Sequence, residues 1–169
     1  VRGLKQCFGD LEVFREVSFL LRKGERLAVV APNGVGKTTL LKTLVGVYPP
    51  AEGSVHWGSF AQAGYFAQQQ VEVLPSEQTI HDHLSAVTTG ERLKESRRVM
   101  GGLLFSGDLI RKKIGSLSGG EQARVIFGQL MLQQPNVLVL DAPTNHLDIK
   151  SREVLLKALQ LYEGTILFV

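Results

Sequence analysis

Residues 26–45 read RLAVVAPNGVGKTTLLKTLV. The stretch begins with apolar residues, passes through a short loop that contains two glycines, and continues with apolar residues at helical spacing. We predict a buried strand over 26–31, a loop that ends at Gly36, and a helix over 37–45. The apolar face of that helix holds Leu40, Leu41, Leu44 and Val45.

The loop has the spacing of a phosphate-binding loop. Gly34 and Gly36 let the backbone curl, so that successive N–H groups point into one concavity that can hold phosphate oxygens. Lys37 supplies a positive charge for the outer phosphates, and the Thr38 hydroxyl is a ligand for Mg²⁺. The predicted nucleotide contacts are Asn33, Gly34, Val35, Gly36, Lys37, Thr38 and Thr39.

Ala31 stands where this loop pattern has its first glycine. If Ala31 has a negative φ, the extra methyl group costs little; in the left-handed region it costs about 1–2 kcal/mol. We expect the substitution to be tolerated.

Strand and helix patterns alternate along the rest of the chain, which predicts an α/β fold with a mostly parallel central sheet. The predicted strands are 17–21, 54–57, Val137–Asp141 and one from Thr165, and the predicted helices are 80–87, 93–104, 119–133 and 151–161. The middle of the chain, about 70–134, forms a small helical subdomain. We treat 1–169 as one domain, truncated at its C-terminus because the sequence stops inside a predicted strand.

The composition is that of an ordinary globular domain, with 44% apolar and 21% charged residues. No run reaches the roughly 18 apolar residues of a membrane span. The single cysteine, Cys7, fits a reducing cytoplasm. A net charge of +3 is too small to indicate nucleic acid by itself.

Two further segments complete the predicted site. Asp141 ends an apolar strand, where ligands of a parallel sheet gather, and its carboxylate can reach the Mg²⁺ shell beside Thr38. Ser118, Gly119 and Gly120 open a helix and leave free backbone N–H groups. The same residues also fit a capping box with Glu121 at the third helical position.

These motifs together resemble the nucleotide-binding domains of the ABC family along essentially the whole chain. Residues 31–39 match the Walker A loop and 117–122 match the signature motif. Asp141 matches the Walker B aspartate. The resemblance implies an antiparallel β part near the N-terminus, ATP and Mg²⁺ as cofactors, and catalytic roles for Gln68 and Asp141. It also implies Gln68 as a Mg²⁺ ligand, Asp148 in the D-loop as a nucleotide contact, and Phe8 stacking on adenine. Phe8 is nearly as well explained as a core phenylalanine.

The phrase PTNHLD at 143–148 resembles the ABC-F subfamily specifically, as do 104–108 and 162–169. Members of that subfamily lack membrane spans, carry two such domains and mostly act on ribosomes. The short segment between Gln68 and Leu117 is more like their second domain. The resemblance therefore implies a cytoplasmic module that couples ATP binding and hydrolysis to domain closure.

One residue departs from the family pattern. The family places a glutamate after the Walker B aspartate to activate the attacking water, and here that residue is Ala142. The family's switch histidine would lie beyond residue 169, and none of the four histidines can replace it. We expect the chain to bind ATP better than it hydrolyses it, so whether it is an ATPase stays open.

The family mode of action implies a second nucleotide-binding domain as partner, in a longer chain or as a homodimer. Ser118, Gly119 and Gly120 would contact nucleotide bound to that partner. Two alternatives are a nucleotide-gated binding module with impaired hydrolysis and the ATPase domain of a membrane transporter. Residues 111–113 read RKK and could contact RNA or the ribosome, although a solvated face is the more common explanation.

Overall fold

The computed structural model describes residues 1–67, 74–88, 91–105, 107–145 and 147–169, with the backbone alone at 91–95 and 97. These residues divide into two compact units. The first unit contains Val1–Tyr65, Asn136–Asp141 and Gly164–Val169, and the second contains Phe66–Pro135 and Ala142–Glu163.

The first unit contains an antiparallel sheet of three strands. A tight turn at Gly9 joins β1 (Arg2–Phe8) to β2 (Leu11–Val17), and β4 (Glu52–Ser54) pairs with the other edge of β1, which gives the order β2-β1-β4. The antiparallel part expected near the N-terminus is thereby confirmed.

The strands of a second sheet are β3 (Arg26–Ala28), β5 (Ala63–Ala67), β6 (Val137–Asp141) and β7 (Thr165–Phe168). Their order in the sheet is β3-β7-β6-β5. β7 pairs in parallel with both β3 and β6, which confirms the predicted parallel sheet. β6 is buried along its whole length and delivers Asp141 to the carboxyl edge of this sheet.

Helix α1 (Lys37–Leu44) covers this sheet within the first unit. Its apolar face packs on the strands as predicted, and each buried leucine stabilises the fold by about 1.5–3 kcal/mol. The core that results contains Leu4, Leu40, Leu41, Leu44, Val137, Val139 and Leu167. Because α1 is anchored in this core, its first residues, Lys37 and Thr38, are held in place.

The second unit is largely helical. It comprises α2 (Ile80–Val87), α3 (Glu91–Gly102), α4 (Gly119–Gln133) and α5 (Ile149–Leu161), with short 3₁₀ turns at Gly107–Arg111 and Ile114–Ser116. Phe66 and Phe127 stack with ring centroids 4.4 Å apart in its core. The helical patterns of the sequence are thus confirmed within one or two residues at each end.

Three predicted strands were placed wrongly. The strand expected at 17–21 lies at Leu11–Val17 instead, because the turn at Gly9 pairs these residues with β1 and tertiary pairing overrides local propensity. The strand expected at 54–57 ends at Ser54. The strand expected at 26–31 ends at Ala28 and is not buried, since Ala28 is exposed and Val30 is 90% exposed.

Candidate functional site

The phosphate loop leads directly into α1. Gly34 and Gly36 have φ values of +84° and +93°, which only glycine adopts without strain. The Lys37 ammonium folds back over the loop and donates hydrogen bonds to the carbonyl oxygens of Ala31 and Pro32, at 2.9 and 2.7 Å. This places a positive charge and the free N–H groups of a helix start at one point, an arrangement suited to phosphate.

Ala31 does not strain the loop. Its φ is not in the positive range, so the methyl group of Ala31 costs little free energy, as expected for that case.

Gly36 is the position in this loop where a side chain is least tolerated. A Cβ there would lie 2.3 Å from Cγ1 of Val13, in addition to the strain of its φ. We predict that Gly36→Ala lowers the free energy of unfolding by about 2–4 kcal/mol, the sum of backbone strain and a clash with the half-buried Val13 side chain.

The matched control is Gly34→Ala, which has a similar φ and nothing within 4 Å of the added Cβ. Strain alone predicts a loss of about 1–2 kcal/mol there. Urea unfolding of both variants makes the comparison. Equal losses would show that the contact with Val13 does not matter.

Thr38 and Asp141 meet in the first unit, as the sequence predicts. The Thr38 hydroxyl donates to Oδ1 of Asp141 at 3.0 Å, and Asp141 is only 7% exposed. Adjacent oxygen ligands of an octahedral Mg²⁺ also lie about 3 Å apart, given metal–oxygen bonds of about 2.1 Å. The two oxygens therefore fit one edge of a Mg²⁺ shell.

Tyr65 is a neighbour of Asp141 that the sequence analysis missed. Its hydroxyl donates to Oδ2 of Asp141 at 3.5 Å, a long hydrogen bond. Burial and the nearby Asp141 charge raise the pKa of the Tyr65 phenol, so that it remains a donor at neutral pH. The motif spacing gave no signal for this contact, because the two residues belong to separate strands, 76 positions apart.

Phe8 lies at the end of β1 and is 46% exposed, so the alternative of a core phenylalanine is not supported. Its ring packs edge-to-face against Tyr48, with centroids 5.3 Å apart. The ring is therefore half-exposed and supported by Tyr48. Contact with adenine stays a prediction.

The signature residues lie in the second unit at the start of α4. The predicted capping box is confirmed: Oγ of Ser118 accepts from the Glu121 N–H at 3.3 Å, and Oε2 of Glu121 accepts from the Ser118 N–H at 2.8 Å. Gly119 is exposed, and nothing lies within 4 Å of where its Cβ would be. The helix start is therefore fixed by its cap and presents uncovered backbone.

Asp148 caps the next helix of the same unit. Its Oδ1 accepts from the Ser151 N–H at 2.9 Å, and this bond, with that from the Ser151 hydroxyl, lowers the pKa of the Asp148 carboxyl. A Cβ on Gly120 would lie 2.8 Å from Oδ2 of Asp148. The structure thus brings the signature motif and the D-loop aspartate into contact.

Ala142 follows Asp141 with a φ of +45°, in the left-handed region, and its carbonyl accepts from the Asn145 N–H at 3.1 Å. The tight turn accounts for this backbone, which costs an alanine about 1–2 kcal/mol. A methyl group offers no atom that could take a proton from water.

Gln68 and His146 lie outside the described residues.

An apolar cavity of about 430 Å³ also lies in the first unit. Its lining includes Leu20, Trp57 and Phe60 and contains none of the predicted site residues that the structure describes. This cavity is therefore separate from the phosphate loop at the start of α1.

Comparison with known proteins agrees with this geometry. The family model described as ABC transporter matches residues 14–145. The probable ATP-binding protein YbiT of Escherichia coli O157:H7 is 46% identical over 100% of this chain and 32% of its own length. ABC transporter F family member 5 of Arabidopsis thaliana is 36% identical over 100% of this chain and 25% of its own length.

A solved structure, the ATP binding subunit of an ABC transporter, has the same fold. It superposes with a TM-score of 0.84 over 99% of this chain and 77% of its own, at 20% identity. The chain spans about a quarter to a third of the two relatives' length. On the family match, the phosphate loop and the shared fold, this chain belongs to the ABC family as an ATP-binding domain related to ABC-F proteins.

Proposed function

We propose that the chain binds ATP with Mg²⁺ at the start of α1 and uses it to close against a second nucleotide-binding domain. The observation that carries this proposal is the pairing of Thr38 with the buried Asp141, beside the Lys37 ammonium. These groups supply two oxygen ligands for Mg²⁺ and one charge for the phosphates. When bound, Mg²⁺ would neutralise phosphate charge, held by Thr38, Asp141 and, by family resemblance, Gln68.

The start of α4 would supply the surface that closes over the nucleotide of the second domain. Gly119 is exposed at a capped helix start, an arrangement suited to the phosphates of a nucleotide, with Gly120 buried beside it and the Ser118 N–H held by Glu121. In the family arrangement that nucleotide is held by the other domain. ATP then becomes part of an interface, and its presence favours the closed state.

Sedimentation velocity with and without ATP and Mg²⁺ tests this closure. We expect ATP to promote association of the wild-type chain with a second copy, and Gly119→Asp to abolish it through charge repulsion of the phosphates. Gly119→Asp should still bind ATP at its own phosphate loop. Association that does not respond to ATP in the wild type would refute the proposal.

A second function is favoured by Ala142. Without a carboxylate at this position the chain would be a nucleotide-gated binding module, in which the ATP-loaded state persists. This differs from an ATPase module in one measurable respect, the release of phosphate.

The subfamily resemblance of residues 143–148 implies a site of action. We propose a cytoplasmic ABC-F type protein whose target is the ribosome, by resemblance to that subfamily. Among the helices of the described ranges, none combines the length and apolar character that a membrane crossing needs. The side chains of residues 111–113 are all exposed, and the Lys113 ammonium forms an ion pair with Glu77 at 2.9 Å. The charges of Arg111 and Lys112 would therefore carry an RNA contact at this segment.

A further inference from the structure

Arg124 is a charged residue on the buried face of α4 and is only 9% exposed. Its Nη1 donates to Oγ of Ser151 at 2.9 Å, and its guanidinium lies 5.2 Å from the centroid of the Phe105 ring. Nη2 lies 4.0 Å from Oε1 of Glu121, the capping-box residue. Arg124 therefore touches both the cap of its own helix and the first turn of α5.

Ser151 is fully buried, and its hydroxyl donates one hydrogen bond and accepts another. It donates to Oδ2 of Asp148 at 2.8 Å while accepting from Arg124. A chain of hydrogen bonds thus runs from α4 through Ser151 to the D-loop aspartate. An apolar side chain could fill the Arg124 position without the cost of burying a charge, so packing alone does not explain the arginine.

Gly120 shows how closely the two helix starts approach. A Cβ at this position would lie 2.8 Å from Oδ2 of Asp148 and 3.0 Å from Oγ of Ser151. Any rotation of the first turn of α4 would therefore change its contacts with Asp148. The signature amides and the D-loop carboxylate are parts of one packed cluster.

We propose that Arg124 and Ser151 are positioning residues, which hold the first turn of α4, with Gly119 and Gly120, and the Asp148 carboxylate in one fixed arrangement for a nucleotide bound by the partner domain. This rests on the ATP-dependent pairing proposed above. Arg124 acts through Ser151 and touches no nucleotide itself. The cluster makes the signature motif and the D-loop respond together when a partner docks.

Ser151→Ala tests the proposal, since it removes the shared hydroxyl and keeps the N–H that Asp148 caps. We expect amide hydrogen exchange at residues 119–122 to become about tenfold faster, although the substitution lies in another helix. ATP-dependent association should weaken about tenfold, while ATP affinity of the chain's own phosphate loop changes less than twofold. Arg124→Lys, which keeps the charge and one donor, should give an intermediate effect.

The matched control is Ser116→Ala, which removes a hydroxyl that donates to the Lys113 carbonyl, just before the signature motif. It should leave exchange and association at wild-type values. Faster exchange at 149–152 alone would mean that Ser151 only supports its own helix, and the proposal would be wrong. If Ser151→Ala fails to fold, Arg124→Lys decides by the same two readouts.

The two readouts separate failure of the proposed ATP-dependent association from failure of the positioning role of Arg124 and Ser151. If the wild type does not associate with ATP, the proposed function falls, and exchange at 119–122 still decides whether the cluster exists. If the wild type associates and Ser151→Ala associates equally well, the positioning role is overturned.

Discussion

Ala142→Glu is expected to raise the rate of ATP hydrolysis by about 10²–10⁴-fold, the usual contribution of a general base. The carboxylate would follow directly after Asp141, where an ABC domain has the group that activates water. The left-handed φ of +45° at this position already carries a Cβ, so glutamate adds little backbone strain. Phosphate release at saturating ATP and Mg²⁺ gives the rate.

Ala142→Gln is the control for this gain. Glutamine has the size and reach of glutamate and cannot accept the proton, so it should bind ATP without the increase in turnover. Equal rates in the two variants would show that side-chain bulk, and not a base, limits hydrolysis. A wild type that already hydrolyses ATP as fast as Ala142→Glu would mean that another group acts as base.

Lys37→Ala is expected to weaken ATP binding about 10–100-fold. In the structure the ammonium is held by two loop carbonyls, and a bound phosphate would offer it charged oxygens at the same place. Hydrogen bonds to charged groups contribute about 1.5–3 kcal/mol each, which corresponds to this loss of affinity. Fluorescence titration with an ATP analogue measures it.

Lys157→Ala removes a charge of the same kind from an exposed position in α5 and serves as the matched control. Its affinity should equal that of the wild type. If both variants weaken binding alike, the effect comes from net charge. If neither does, the loop at the start of α1 is not the nucleotide site.

Local signals in the sequence were sufficient for the central elements of the fold. β6 is a short apolar run that ends in a charge, and α4 begins at a serine cap, so both were predicted with their correct bounds. The β1–β2 hairpin was missed because its register depends on pairing between strands, which local propensity at 17–21 does not report.

The candidate site, like the fold, was predicted only in part. Motif spacing was enough to predict that Thr38 and Asp141 meet, because a loop and a strand end share one edge of the sheet. It gave no indication of Tyr65 or of the contact between Arg124 and Ser151, which join residues far apart in sequence. An arginine between Ala123 and Val125, on a helix with an apolar pattern, was the one available sign of a buried charge.

The most direct test of the central claim is equilibrium binding of a fluorescent ATP analogue in the presence of Mg²⁺, followed in the same tube by phosphate release. We predict tight, Mg²⁺-dependent binding through Lys37, Thr38 and Asp141, with negligible release because of Ala142. Failure to bind, or turnover that disappears on Lys37→Ala, would contradict this account.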